Sequence, residues 1–272
     1  MSKWKNLRKC WIKLKLKDFI SWYEKLVPLE IQEDFDNSGI QFGNLNREIN
    51  KILISLDLDD NCLNRAIREK YDLIFTHHPV IFHPLKNIIE QKNSVNTRLI
   101  SAIKNEICIY SSHTNLDSVE FGVSDALAKQ LGLINPKILD FHKNNTGYGK
   151  YSDIEEDFAE NFICDLKNKL NLENVIVYGN TNRKIKRIAV LGGSGGHFIE
   201  NCIDTNCDVF VSSEFKHDEQ IDAQDNNLIL IDIGHYESEK FILEPLRQTI
   251  QKSFPDIKID VNYLKKPTRK IF

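Results

Sequence analysis

One stretch limits the architectures open to this chain more than any other: Tyr71 to Pro84, YDLIFTHHPVIFHP. The apolar run Leu73 to Phe75 reads as a buried strand, which delivers the adjacent imidazoles of His77 and His78 to its end, where Pro79 stops it. Packing has no use for such a pair. Pro79 restricts His78 to extended or polyproline-like backbone. Both side chains therefore sit at a strand-to-loop turn, where they can converge on one point instead of alternating across a sheet. Neutral imidazole is the commonest protein metal ligand near neutral pH. Two readings stand at this point, a metal site, or one ring capping a backbone carbonyl while the other is solvated. The rest of the chain decides between them.

Other strands end the same way. Lys51 to Leu58, KILISLDL, is a β-branched strand whose exit carries Asp57, Asp59 and Asp60. Ligation of a hard cation by these acids competes with capping of the helix NCLNRAIREK, which suits Asp59 and Asp60 better. A helix from about Ser94 to Asn105 leads to the strand Ile107 to Ser111, which empties into SHTNLDS. His113 and Asp117 thus lie just past a strand end too, although Asp117 could instead cap the helix over Gly122 to Leu131. Leu228 to Ile233, LILIDI, leaves through Gly234 into HYESEKFILEPL, with His235 and Glu239 four apart on one helix face. Ahead of all these, Leu14 to Val27 is spaced as an amphipathic helix that Pro28 ends, and Asp34 to Gly43, DFDNSGIQFG, is turn-rich. Strand, helix, strand in alternation makes an α/β layer, and in such sheets functional groups collect at the carboxyl ends of strands.

Asn135 to Gly149, rich in Asn, Lys, Gly and Pro, is the one clear break in composition. It divides the chain into a first α/β unit, residues 1–134 completed by 228–272, and a second, residues 135–227. The second repeats the first loosely, with a helix over Glu156 to Leu170, strands over Val175 to Tyr178 and Arg187 to Leu191, a helix over His197 to Cys202 and a strand over Asp208 to Ser212. GGSGG, Gly192 to Gly196, follows a strand and precedes a helix, so its amides could receive an anion; a tight strand-to-helix turn is the alternative, since the spacing is neither Walker A nor GxGxxG. Glu214, Lys216 and His217 cluster at a further strand end.

Composition narrows the functional classes. With 36 basic and 39 acidic residues the net charge is -3, which argues against a protein that coats nucleic acid. Six cysteines without a CxxC pair do not make a disulfide framework and fit a reducing, cytoplasmic compartment. The basic start MSKWKNLRKCWIKLKLK is followed by no uninterrupted apolar segment, so it reads as a solvated extension, with anchoring to an anionic surface as the alternative. No run approaches the roughly 18 apolar residues of a membrane span.

His77, His78, Asp117, His235 and Glu239 come from three separate strand ends. Imidazoles mixed with carboxylates suit zinc, manganese, iron or cobalt better than calcium, which prefers all-oxygen shells. Five ligands exceed one tetrahedral site, and a carboxylate can bridge two ions about 3.5 to 4 Å apart, so a pair of divalent ions is expected.

The stretches DFDNSGIQFG, LISLDL, DLIFTHHPVIFHPLK, YSSHTNLDSVEFGVSDALAKQLGL, AVLGGSGG, DVFVSSEFKHDEQIDA and DIGHYESE together resemble the NIF-three-like family, whose bacterial members are often called GTP cyclohydrolase I type 2 homologues. The resemblance implies two intertwined, duplicated α/β units with mixed sheets and a metal site between them. It implies two ions held by His77, His78, Asp117, His235 and Glu239, with Glu239 bridging, His78 and Asp117 completing one site, and His77 and His235 the other. It further implies a ring-shaped homohexamer, a trimer of dimers. The activity implied is metal-dependent hydrolysis that opens the imidazole ring of GTP or a related nucleotide. His113 and His217 are the candidates for shuttling protons, each within a few residues of a strand end, and His113 reads equally as orienting a ligand. Alternatives are another metallo-phosphohydrolase or amidohydrolase, or a non-catalytic metal-binding ring that serves as an adaptor, as the transcription-factor partner behind the family's eukaryotic name suggests.

Overall fold

The computed structural model describes residues 13–92 and 94–263, and the basic start up to residue 12 lies outside them. The first unit runs α1 (Leu16–Leu26), β1 (Gly39–Phe42), β2 (Lys51–Ser55), α2 (Asp60–Glu69), β3 (Leu73–Thr76), α3 (Val95–Lys104), β4 (Cys108–Ser111), α4 (Thr114–Ser118) and α5 (Val123–Leu131). The second runs β5 (Lys137–Phe141), β6 (Gly147–Phe158), α6 (Ala159–Leu170), β7 (Ile176–Tyr178), β8 (Lys184–Ser194), α7 (Ile199–Asp204), β9 (Val209–Ser213), α8 (His217–Asp225) and β10 (Ile229–Asp232). Then come α9 (His235–Glu239), α10 (Leu243–Ser253) and β11 (Lys258–Val261).

Two mixed sheets result, in the orders β1-β4-β3-β2-β11 and β5-β6-β8-β9-β10-β7. In the first, β2, β3, β4 and β11 are parallel and β1 closes one edge antiparallel. Every residue of β3 and β4 is buried because helices cover both faces. Ile54, Phe75 and Tyr110 face α1 and α10, while Leu53, Ile74 and Ile109 face α2 and α3, which is the strand period of two at work. Phe75 is the hub of the first face, with ring centroids 4.9 Å from Tyr23, 5.4 Å from Tyr110 and 6.4 Å from Phe19.

The units interlock. Leu127, Ala128 and Leu131 of α5 pack with α6 against Ile188, Val190 and Val211 of the second sheet. In return, α10 buries Leu246 and Ile250 in the first unit, and β11 pairs with β2 at Ile259 and Ile52.

Three readings need correction. Residues 135–149 are not a connection between modules, because β5 and the start of β6 form a hairpin there whose turn passes through Asn144 and Asn145 with φ of +54° and +60°. Asparagine tolerates that region, so the composition that looked like a linker is turn chemistry. The strand β6 then runs on to Phe158, and the helix expected from Glu156 starts at Ala159. The return to the first unit also comes later than residue 228, since β10 pairs with β9 and β7 in the second sheet. A buried apolar run does not encode which parallel neighbour it will join. Among the described residues, no helix is long and apolar enough to cross a membrane.

Truncating Phe75 empties the centre of this packing. Phe75→Ala is expected to lower unfolding free energy by about 3–5 kcal/mol, read as a shifted midpoint in chemical denaturation.

Candidate metal centre

The end of β3 meets its neighbours before it turns. His77 N donates to the carbonyls of Ser55 and Leu56, each at 3.1 Å, and His78 N to Leu56 O at 2.9 Å. The Thr76 hydroxyl donates to the His78 carbonyl at 2.9 Å. This turn holds both imidazoles still, and each then has one nitrogen occupied. His77 Nδ1 lies 2.8 Å from the Ser112 carbonyl and His78 Nδ1 2.8 Å from Asp57 Oδ1. His235, first residue of α9, places Nδ1 3.1 Å from Glu214 Oε2. An acceptor on Nδ1 leaves Nε2 as the free lone pair.

The free nitrogens converge. His77 Nε2 is 3.5 Å from Asp117 Oδ1 and 3.7 Å from Glu239 Oε1. His78 Nε2 is 3.2 Å from Glu239 Oε2 and 3.4 Å from His235 Nε2, which is itself 3.0 Å from Glu239 Oε1. His77 and Glu239 are 2% and 3% exposed, so bulk solvent barely touches them. His77 Nε2 and Glu239 Oε2 are buried without any hydrogen bond of acceptable geometry. Donor atoms of His78, His235 and Glu239, and likewise of His77, His78 and His113, lie within 4.8 Å of one another. Buried lone pairs aimed at each other cost free energy unless protons or cations stand between them, so the donor set fits divalent metal ions.

All five ligand candidates are brought together. His77 lies against Asp117 and His78 against His235, while Glu239 turns Oε1 to His77 and His235 and Oε2 to His78. Adjacent residues of extended chain point to opposite sides, and only the fold shows which side faces which partner.

The electrostatics are those of a cluster that holds protons when no cation does. Burial works against charge on His235, but the hydrogen bond and charge of Glu239, helped by Glu214, push the ring up to about 9. Burial likewise opposes charge on His78 and His77; Glu239 and Asp57 nevertheless lift His78 well above the usual range, and Asp117 and Glu239 lift His77. Burial would raise Glu239, yet His78, His235 and His77 hold it well below the usual carboxylate range. Asp117 is pushed up by burial, which His77 and His113 offset only in part.

His113 belongs to this site. Its ring centroid is 5.2 Å from that of His77 and 5.5 Å from that of His78, and its Nδ1 is 2.9 Å from Asp36 Oδ1. Asp36 also accepts from Thr114 N at 3.0 Å, the Thr114 hydroxyl at 2.6 Å and the Ser38 hydroxyl at 3.0 Å. Burial opposes its charge, but His113 and Thr114 hold Asp36 below the usual carboxylate range. His217 opens α8 as an exposed residue, and the donor clusters among the described residues include His113 and not His217. Glu214, three positions earlier, is the residue of that segment that reaches the centre.

Asp36, Asp57 and Glu214 are the supporting residues; the sequence placed Asp57 and Glu214 at strand ends without this role and left Asp36 unnamed within a turn-rich stretch. Asp57 was legible only as one of three acids. The fold separates them, since Asp59 caps α2 through Cys62 N at 2.7 Å and Asp60 accepts from Arg98 Nε at 2.7 Å.

GGSGG is not an anion cradle. The strand β8 runs through it to Ser194, and its amides at Gly192, Gly193 and Gly195 donate to Ser124 Oγ, Ser238 Oγ and the Ser213 carbonyl. Gly193 instead walls the centre, with φ of +81° and with a Cβ that would stand 2.8 Å from Glu239 Oε1.

A family model described as Duf34/NIF3 (NGG1p interacting factor 3) matches residues 14–269. A GTP cyclohydrolase 1 type 2 homolog of Clostridium acetobutylicum is 32% identical over 83% of this chain and 85% of its own length. One from Campylobacter jejuni is 33% identical over 88% and 92%. Among solved structures, a hypothetical protein of Staphylococcus aureus superposes with TM-score 0.86 at 28% identity, covering 95% of this chain and all of that one (100%). Reduced HcgD from Methanocaldococcus jannaschii gives 0.77 at 31% identity, covering 92% and 98%.

Two outcomes follow from the cluster. The His235 ring keeps its proton below about 9, and an incoming cation must displace it. Apparent affinity for zinc or manganese therefore rises with pH through the range in which the raised His235, His78 and His77 rings lose their protons, with proton release readable by calorimetry in buffers of different ionisation enthalpy. Gly193→Ala is expected to weaken metal binding about tenfold or more by displacing Glu239, measured by competition with a chromogenic chelator.

Proposed function

The chain belongs to the Duf34/NIF3 (NGG1p interacting factor 3) family, and from that membership together with the geometry of its cluster we propose a hydrolase that uses two divalent metal ions to open the imidazole ring of GTP or a related nucleotide. The observation that carries the metal half of this reading is the pair of buried, unpartnered donors, His77 Nε2 and Glu239 Oε2, at the point where three imidazoles and two carboxylates meet. The nucleotide half is supported by the names of relatives at about 30% identity.

His77, His78, Asp117, His235 and Glu239 would hold the two ions, with Glu239 shared between them. When bound, such ions supply Lewis acidity toward water and toward the atom under attack. The remaining work falls to side chains. Asp36 accepts from His113 Nδ1 and keeps the other ring nitrogen free to take a proton from the attacking water and return it to the ring nitrogen released. Asp57 and Glu214 keep His78 and His235 oriented in the same way. Because the amides of Gly192, Gly193 and Gly195 are engaged within the chain, the triphosphate is met elsewhere in this reading. A homohexamer of three dimers in the cytoplasm completes the proposal. Family likeness supports the ring, and the free thiols of Cys62, Cys108, Cys164, Cys202 and Cys207 support a reducing compartment.

The test is turnover by protein loaded with zinc or manganese, on GTP first and then on a panel of nucleotides and phosphoesters. A ring-opened formamide product is expected from GTP. Its formation should stop in Glu239→Ala and fall about 100-fold in His113→Ala with metal content retained. Loss of metal in His113→Ala would make that residue a ligand instead. Fully metallated protein that turns over nothing on the panel would sink the hydrolase in favour of the adaptor.

A further inference from the structure

The row of rings does not stop at His113. Phe82 has its centroid 6.2 Å from that of His113, and Phe35 lies 6.4 Å from Phe82. Phe35 is 64% exposed, and Phe82 keeps 38% exposure although the His83 ring packs 4.9 Å from it at 76°. Single large apolar side chains on a surface need no explanation, but these two stand on pinned backbone. Ile81, just before Phe82, donates its amide to Gln41 Oε1 at 3.0 Å and accepts from Asn37 Nδ2 at 2.5 Å on its carbonyl. Asp36, just after Phe35, is tied to His113, Thr114 and Ser38. Residues 79–91 contain no helix or strand, so these side-chain ties are what fix Phe82 in place. A preorganised surface loses little entropy on binding, and bare aromatic faces gain by being covered.

We propose that Phe35 and Phe82 form an aromatic shelf at the mouth of the metal centre, on which the planar base of the substrate stacks, so that the site selects ring-bearing substrates over aliphatic ones. The inference rests on the nucleotide reading above and specifies how the base is held. The Phe82 ring stands at 76° to that of His113, and beyond His113 come His77 and His78 in steps of one ring each. That order places the base, rather than the sugar or phosphates, nearest the donor cluster. Stacking of one base on an aromatic side chain changes affinity by roughly five- to hundredfold.

The probes are GTP, guanosine monophosphate and ribose 5-phosphate, titrated by calorimetry into metal-loaded full-length protein and into Phe82→Ala, Phe35→Ala and Phe82→Tyr, with metal content and particle mass measured alongside. Affinity for the two purine nucleotides should fall about tenfold or more in Phe82→Ala, fall less in Phe35→Ala and survive in Phe82→Tyr. Ribose 5-phosphate should bind all four alike. Purine binding that is equal in native protein and Phe82→Ala overturns the shelf and leaves the nucleotide reading standing. Native protein that keeps its metal yet binds neither purine fails the nucleotide reading, and the shelf falls with it. A change of particle mass in the alanine variants makes the pair a contact between copies of the chain and overturns the shelf.

Discussion

A carboxylate that water cannot reach, set among three imidazoles, is the constraint on which this molecule turns. Glu239 is 3% exposed and lies within 3.7 Å of ring nitrogens of His77, His78 and His235. Removing such a group from water costs several kcal/mol unless opposite charge comes with it. The surroundings meet that cost by precise placement. Gly193 stands aside for Oε1, the Ser238 hydroxyl takes the Gly193 amide, and Ser212 and Ser213 donate to the Gly193 carbonyl. Small and hydroxyl-bearing residues cluster at this spot because bulk or an unpaired amide would push the carboxylate off its position.

The seam between the two units exists around that centre. His77, His78 and Asp117 leave the first sheet, while His235, Glu239, Glu214 and Gly193 leave the second. Neither half has the donor set alone. The interlocking of α5 with the second sheet and of α10 and β11 with the first keeps the halves in register. Occupation of the centre by any cation would therefore strengthen docking of the units, because the free energy of a bound ligand is shared by everything that holds its site together.

Around the converging nitrogens runs a second set of groups that face away from them: the Ser112 carbonyl, Asp57, Glu214 and Asp36, one for each of four histidines. They fix which nitrogen of each ring carries a proton and how each ring is turned. This layer gives each ring a hydrogen-bond partner that favours one orientation, although the histidines sit at loop ends where side chains are usually free to rotate.

The pattern of residues alone determined a good deal. The strand exits at His77, Asp117 and His235 stood out because an apolar run followed at once by imidazole and carboxylate is readable from order in the chain. The α/β class followed from alternating periods, and the family likeness from motifs spread along the chain. Composition misled where turn residues imitate linkers, as at Asn144 and Asn145. What only the tertiary structure decided are relations with no trace in local order. These include which ring of an adjacent pair faces Asp117 and which faces His235, which sheet receives β10, and that Asp36, 77 residues before His113, is its partner. It also decided that GGSGG, open to two readings by its spacing, is a wall beside Glu239. The physical reason is common to all of them. Periodicity and motif spacing report how a segment meets its own neighbours along the chain, whereas a buried charge is matched by whatever the fold brings within a few ångströms, from any distance along the sequence.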